Sequence, residues 1–159
     1  MHIRTDPREE IDRETFRPEV VQPIAAHLLQ HRLPDQILVI VLTKGVPLKI
    51  RGTGGPRRTQ AAVDSELALL YRELIQRPAL PEGPVQNPYF DPSATAPFSR
   101  ADHDIYLVTR LDGYTWEDIR RLVDRATAPS RHGKIVLDMK GSIPASGAPL
   151  GDGWLRAAA

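Results

Sequence analysis

Three apolar runs in this chain break into charge and then glycine: Leu38 to Gly45, Ile105 to Gly113 and Ile135 to Gly141. The charged residues that close them are Lys44, Arg110, Asp112, Asp138 and Lys140. Carboxylates and cations so placed could do acid–base work or clamp an anionic or metal-bridged ligand. Glycine beside them lets backbone approach a ligand, or merely turns the chain. We take Lys44, Arg110, Asp112 and Asp138 as catalytic candidates, and Gly45, Gly113, Lys140 and Asp64 as ligand-binding candidates. The competing reading is structural. Arg110 and Asp112 are two apart, so in a strand they share a face, where they could neutralise neighbours and tie down loops.

Runs this short and this apolar read as strands buried on both faces, the pattern of parallel sheets. Parallel strands finish on one edge, where open α/β sheets hold their ligands. The expected fold is therefore α/β: a small, mostly parallel sheet of three to four strands flanked by helices, an incomplete doubly wound type. The first strand leads through a helix carrying Val63, Leu67, Leu70 and Leu74 to the second, Ile105 to Leu111. A helix with Ile119, Leu122 and Val123 on one face then completes a right-handed crossover to the third, Ile135 to Met139. Leu38, Ile40, Leu42, Leu107, Val108, Val136 and Leu137 should form the core, faced by Leu67, Leu70, Ile119, Leu122 and Val123. On that basis Leu107→Asp unfolds the domain by burying an unpaired charge.

Local signals fill in the rest. Asp6 with Pro7 reads as a helix start. A second helix follows Pro18, with Val20, Val21, Ile24, Ala25, Leu28 and Leu29 on its apolar face, and Pro23 should bend or restart it. Val46 to Ile50 suits a short edge strand. Asp64 is a natural N-cap for the Val63 helix. Thr115 and Asp118 make an acidic capping box, flanked by Tyr114 and Ile119 as a hydrophobic staple.

Bulk properties narrow the field. The 159 residues suit one domain, with 41% hydrophobic and 26% charged residues, ordinary for a globular chain. Lys plus Arg number 21 against 20 Asp plus Glu, a net charge of +1, which selects neither nucleic acid nor an anionic membrane. Cysteine is absent, which removes thiol nucleophiles, thiolate metal sites and disulfides. Met1 to Glu14 is charged throughout, so it holds no signal peptide, and no apolar run is long enough to span a bilayer. Compartment stays undecided.

Other candidates are weaker. The loop Lys49 to Arg58 is basic and glycine-rich but lacks the Gly-Lys-Ser/Thr of a P-loop. His27 and His31 are four apart without the rest of a zinc pattern, so no metal or cofactor is expected. No Gly-x-Ser-x-Gly elbow supports a hydrolase triad. Residues 77–103, with six prolines between Pro78 and Pro97, read as a loop or arm able to meet a protein partner, with Tyr89, Phe90 and Phe98 packing part of it down. Residues 142–159 read as a tail cut inside a helix.

Four segments, in order, carry a resemblance: Val41 to Leu48 (VLTKGVPL), Val63 to Leu67 (VDSEL), Asn87 to Phe90 (NPYF) and Tyr106 to Gly113 (YLVTRLDG). Together they resemble an uncharacterised bacterial family found in genomes with exosortase-type protein-sorting systems, over roughly Pro23 to Gly141. The resemblance implies no activity. It implies that family members extend past this chain at both ends, that the chain is a central slice, and that full-length relatives are exported.

Two functions fit. One is a fragment of an enzyme, an envelope-associated hydrolase whose rim supplies Lys44, Arg110, Asp112 and Asp138. The other is a non-catalytic binding or interaction domain whose rim charges are structural.

Overall fold

The N-terminal core is a helix punctuated by its own prolines. In the computed structural model, which describes residues 1–53, 58–78, 80, 83, 89, 93, 95–99 and 102–128, a short strand Glu10–Asp12 (β1) runs into a helix, Arg13–Phe16 (α1). Asp12 caps it, accepting the Thr15 N–H at 2.7 Å. Asp6 therefore starts no helix. Its carboxylate instead receives the Arg8 N–H at 3.0 Å, and Ile11 pairs as a strand residue with Ile50. A π-helical turn, Arg17–Val21, follows, with the Gln22 N–H donating to Arg17 O. Pro23 then falls where the π turn passes into α2, Gln22–Gln30, with Val21 and Gln22 both in right-handed helical backbone. The expected bend or restart is not a fresh start: the helix is continuous through the proline and changes there from π to α. Phe16, Val20, Val21, Ile24 and Leu28 are buried along it, whereas Leu29 is exposed.

Among the described residues, five strands lie in two sheets. β2 (Val39–Thr43) pairs in parallel with β5 (Leu107–Leu111), Ile40 opposite Val108 and Leu42 opposite Arg110. β1, β3 (Lys49–Arg51) and β4 (Ala61–Ala62) form the second sheet, with β1 parallel and β4 antiparallel to β3. The α/β character stands, but the strands form two small sheets, one of them mixed, rather than one mostly parallel sheet. The link from Arg51 to Ala61 is too short for a crossover, which takes a dozen or more residues, so β4 must return antiparallel. The piece after Gly45, expected at an edge, is the middle strand of its sheet. Helices Val63–Ala68 (α3) and Leu70–Leu74 (α4) follow β4, and Trp116–Thr127 (α5) follows β5.

β2 and β5 are not buried on both faces. Leu42 is buried, and Ile40 and Val108 pack against the core, while Val39, Val41 and Leu107 are 43%, 53% and 38% exposed. Leu38 is exposed too, and Leu122 and Val123 are each about half exposed (47% and 48%), against the core positions expected for them. The core instead centres on Leu67, Leu70, Val63, Ile50, Phe16 and Tyr106. Tyr106, the largest fully buried side chain among the described residues, donates its hydroxyl to Pro34 O at 3.1 Å. The Thr115–Asp118 capping box forms in both directions, at 2.9 and 3.2 Å. Tyr114 is 97% exposed, so the staple does not form.

The chain divides into two compact units, residues 1–119 and 120–159. The expected third strand, with Val136, Leu137, Asp138 and Lys140, lies outside the described residues, as do the tail and most of the proline-rich arm. Among the described residues no helix is long and apolar enough to cross a membrane.

Candidate functional site

Strand alternation decides what Arg110 can do. Val108 and Arg110 face the same side of β5, and the register sets Arg110 opposite buried Leu42. A guanidinium aimed at the core must find acceptors. It finds three groups. Arg110 Nε donates to the Asp64 carboxylate at 2.9 and 3.0 Å, Nη1 to Val46 O at 2.8 Å, and Nη2 to both Pro47 O at 2.7 Å and Asp64 Oδ1 at 2.5 Å. Asp64 is brought to the strand ends by α3, where it lies in the first turn; Ala62, not Asp64, occupies the N-cap position. The two side chains are 19% and 35% exposed. This geometry ties β5, the start of α3 and the loop after β2 into one knot.

The other rim residues sit further out. Lys44 Nζ donates to Gly113 O at 3.2 Å, joining the ends of the two parallel strands across solvent-exposed ground. Asp112 accepts the Gly113 N–H at 2.7 Å, a local turn contact. Gly45 has φ +97, a conformation glycine adopts freely, in the turn closed by Val46 N–H to Thr43 O. Gly113 is needed for space, since a Cβ there would stand 2.9 Å from the Asp118 Cβ. Of the eight candidates, then, the fold brings together Arg110 with Asp64, and Lys44 with Gly113. Asp138 and Lys140 lie outside the described residues.

A second polar node was not legible in the sequence. Asp104 accepts from Arg72 Nη1 at 2.5 Å and from the Tyr89 hydroxyl, with Arg77 Nε 3.9 Å away. The Tyr89 hydroxyl and then Arg72 hold the Asp104 carboxyl below its usual range, against the opposing effect of burial. The same bond pushes the Tyr89 phenol up. The His103 ring stacks on Phe98 and meets Tyr89 edge-on, each pair with centroids 4.9 Å apart, so this much of the arm does pack down. Ser99 donates its hydroxyl to Asp102 rather than to an imidazole nitrogen. That is no nucleophile–base relay.

A cleft of about 350 Å³ opens between α1 with its π turn and the α3–α4 pair. Phe16, Val21, Leu69 and Leu70 give it apolar lining, and Arg13, Arg17, Arg72 and Arg77 bring four guanidiniums to it. Arg13 and Arg17 are one helical turn apart, a spacing that puts two cations on one face and could have flagged the cleft from sequence. No group of three or more His, Asp or Glu among the described residues could hold a metal ion.

With that geometry in hand, comparison with protein-family models, curated proteins and solved structures finds no match to the chain.

Proposed function

We propose that this domain is a non-catalytic binding module whose strand-end charges fasten the fold. The observation that carries this reading is the Arg110 knot. Its Nε, Nη1 and Nη2 all donate within the chain, so the guanidinium is committed before any ligand arrives. A clamp for substrate would instead keep donors aimed at open space.

The proposed kinship to the exosortase-associated family fits the same reading. Three of the four segments behind it meet at the knot: VLTKGVPL supplies the Val46 and Pro47 carbonyls, VDSEL supplies Asp64, and YLVTRLDG supplies Arg110. The fourth, NPYF, supplies Tyr89 to Asp104. A fastening role explains why these residue types occur together without requiring a reaction.

The hydrolase reading keeps one observation, that Lys44 and Asp112 stand exposed at the ends of two parallel strands. Melting separates the two. Residues held for function usually cost stability, so Arg110→Gln would leave Tm level or raise it if Arg110 served a substrate. As a fastener, its loss lowers Tm by several degrees. A level melting curve overturns the proposal.

A further inference from the structure

We infer that His27 and His31, at the C-terminal end of α2, form a two-point chelate for a divalent cation of right-angled geometry, copper(II) first. The site is separate from the Arg110 knot and stands whether or not that knot is a fastener.

The helix end holds the pair in place. His31 donates its backbone N–H to His27 O at 3.1 Å, so the two residues stand one helical turn apart on one face. Beyond them the turn is closed. The Arg32 N–H donates to Leu29 O at 3.1 Å and the Leu33 N–H to Leu28 O at 2.8 Å, with Arg32 at φ 55 in the left-handed region. That closure fixes the backbone under His31.

Spacing then selects the chemistry. The two imidazole centroids are 4.4 Å apart, with ring planes inclined at 51°. A metal held at about 2.0 Å by one nitrogen of each ring, at right angles, sets the centroids about 4.5 Å apart; a tetrahedral angle spreads them to about 5.2 Å. Each ring can aim a nitrogen at the shared point by turning about its Cβ–Cγ bond, a broad torsion that leaves the centroid nearly in place. Copper(II) and nickel(II) take right-angled nitrogen sites, and copper(II) binds hardest in the first-row order. The lack of a third protein ligand bars a closed zinc tetrahedron, but not a square whose other corners are water.

Charge and access agree with this. The C-terminal end of a helix carries negative partial charge, which favours a cation there. Arg32 beside the pair is exposed, where water and salt screen its charge. His27 is half-buried and His31 exposed, and among the described residues neither imidazole has a hydrogen-bond partner that a metal would have to displace.

The test titrates the whole chain at neutral pH with copper(II), nickel(II), zinc(II) and magnesium(II), against glycine as a competing chelator. Copper should bind one to one. Its electron paramagnetic resonance spectrum should show two equatorial imidazole nitrogens, and its broadening of amide NMR signals should centre on the end of α2. Nickel and zinc should bind more weakly, and magnesium not at all. His27→Gln and His31→Gln should each weaken copper at least tenfold, because each turns a chelate into a single-point contact. His2→Gln, His103→Gln and His132→Gln, at the other three histidines, should leave it unchanged. Loss of binding on His2→Gln would put the copper at the N-terminal amine and overturn the inference. Undiminished binding by either α2 variant overturns it too, as does a Kd above about 100 μM, the mark of adventitious binding only. The spectrum and the broadening are read on the parent protein, so they decide the matter even if a variant misfolds.

Discussion

Arg110, four residues into a strand, reaches back across the fold to Asp64 in the first turn of α3, with two guanidinium nitrogens on one carboxylate at 2.5 to 3.0 Å. The same guanidinium holds the Val46 and Pro47 carbonyls. Lysine could not reproduce this, because a single ammonium has no planar fork to span a carboxylate and two carbonyls.

Arg110→Ala should therefore cost about 2–3 kcal/mol, below the range for a fully buried pair because both partners are partly exposed. For a unit of this size that is on the order of 10 °C in Tm. Arg110→Lys should recover less than half. A double-mutant cycle with Asp64→Ala should return a coupling above ~1 kcal/mol; a coupling near zero would mean the contact is incidental.

The strand-end bridge should matter far less. Lys44 makes one exposed contact at 3.2 Å, so Lys44→Ala should stay within ~0.5 kcal/mol by urea unfolding. Gly113→Ala is the sharper probe of that rim. Its Cβ would press on the Asp118 and Ile119 side chains at 2.9 and 3.2 Å, and ~1–2 kcal/mol should be lost.

Asp104 supplies a pH signature. Its carboxyl titrates below the unfolded value because Tyr89 and Arg72 hold the ionised form. A depressed folded pKa stabilises above the unfolded pKa of about 4, and that contribution is lost as pH falls through the folded value. Asp104→Asn should thus be ~1–2 kcal/mol less stable at neutral pH, with the gap to the parent shrinking below about pH 4. A gap that does not change with pH would remove the carboxylate from the account. Tyr89 has the opposite sense: its raised pKa stabilises below about pH 10, and that share is lost as the phenol ionises above it.

Leu107→Asp should be tolerated, since Leu107 is 38% exposed and the new charge reaches water. Leu67→Asp should not. Leu67 is wholly buried, and a carboxylate there has no partner to offset its desolvation. Circular dichroism melts of the two variants check the pair directly.

Much of the local architecture was readable from residue types alone. The two strands, their parallel pairing and the Thr115 cap all follow from rules about periodicity and capping. The error in burial has a definite source. Val39, Val41 and Leu107 are apolar enough to suggest coverage on both faces, yet an apolar residue carries no information about whether another layer is present to cover it. The strand at Glu10–Asp12 was missed because three residues give no period to read, and its pairing with Lys49–Arg51 is made across the chain. The same limit hid Asp104, whose partners Arg72 and Tyr89 come from a helix and from the proline-rich arm.

By itself the sequence determined the two longer strands, the helices after Pro18, at Val63 and after Thr115, the Thr115 cap, and that charge would gather where Leu38 to Gly45 and Ile105 to Gly113 finish. Those properties depend on neighbours within a turn or two. Only the tertiary structure decided that Arg110 points inward onto Asp64 while Lys44 and Asp112 remain at the surface, and that four arginines line one cleft. An ion pair forms between side chains far apart in sequence only once packing has set both backbones, and no local pattern encodes that distance.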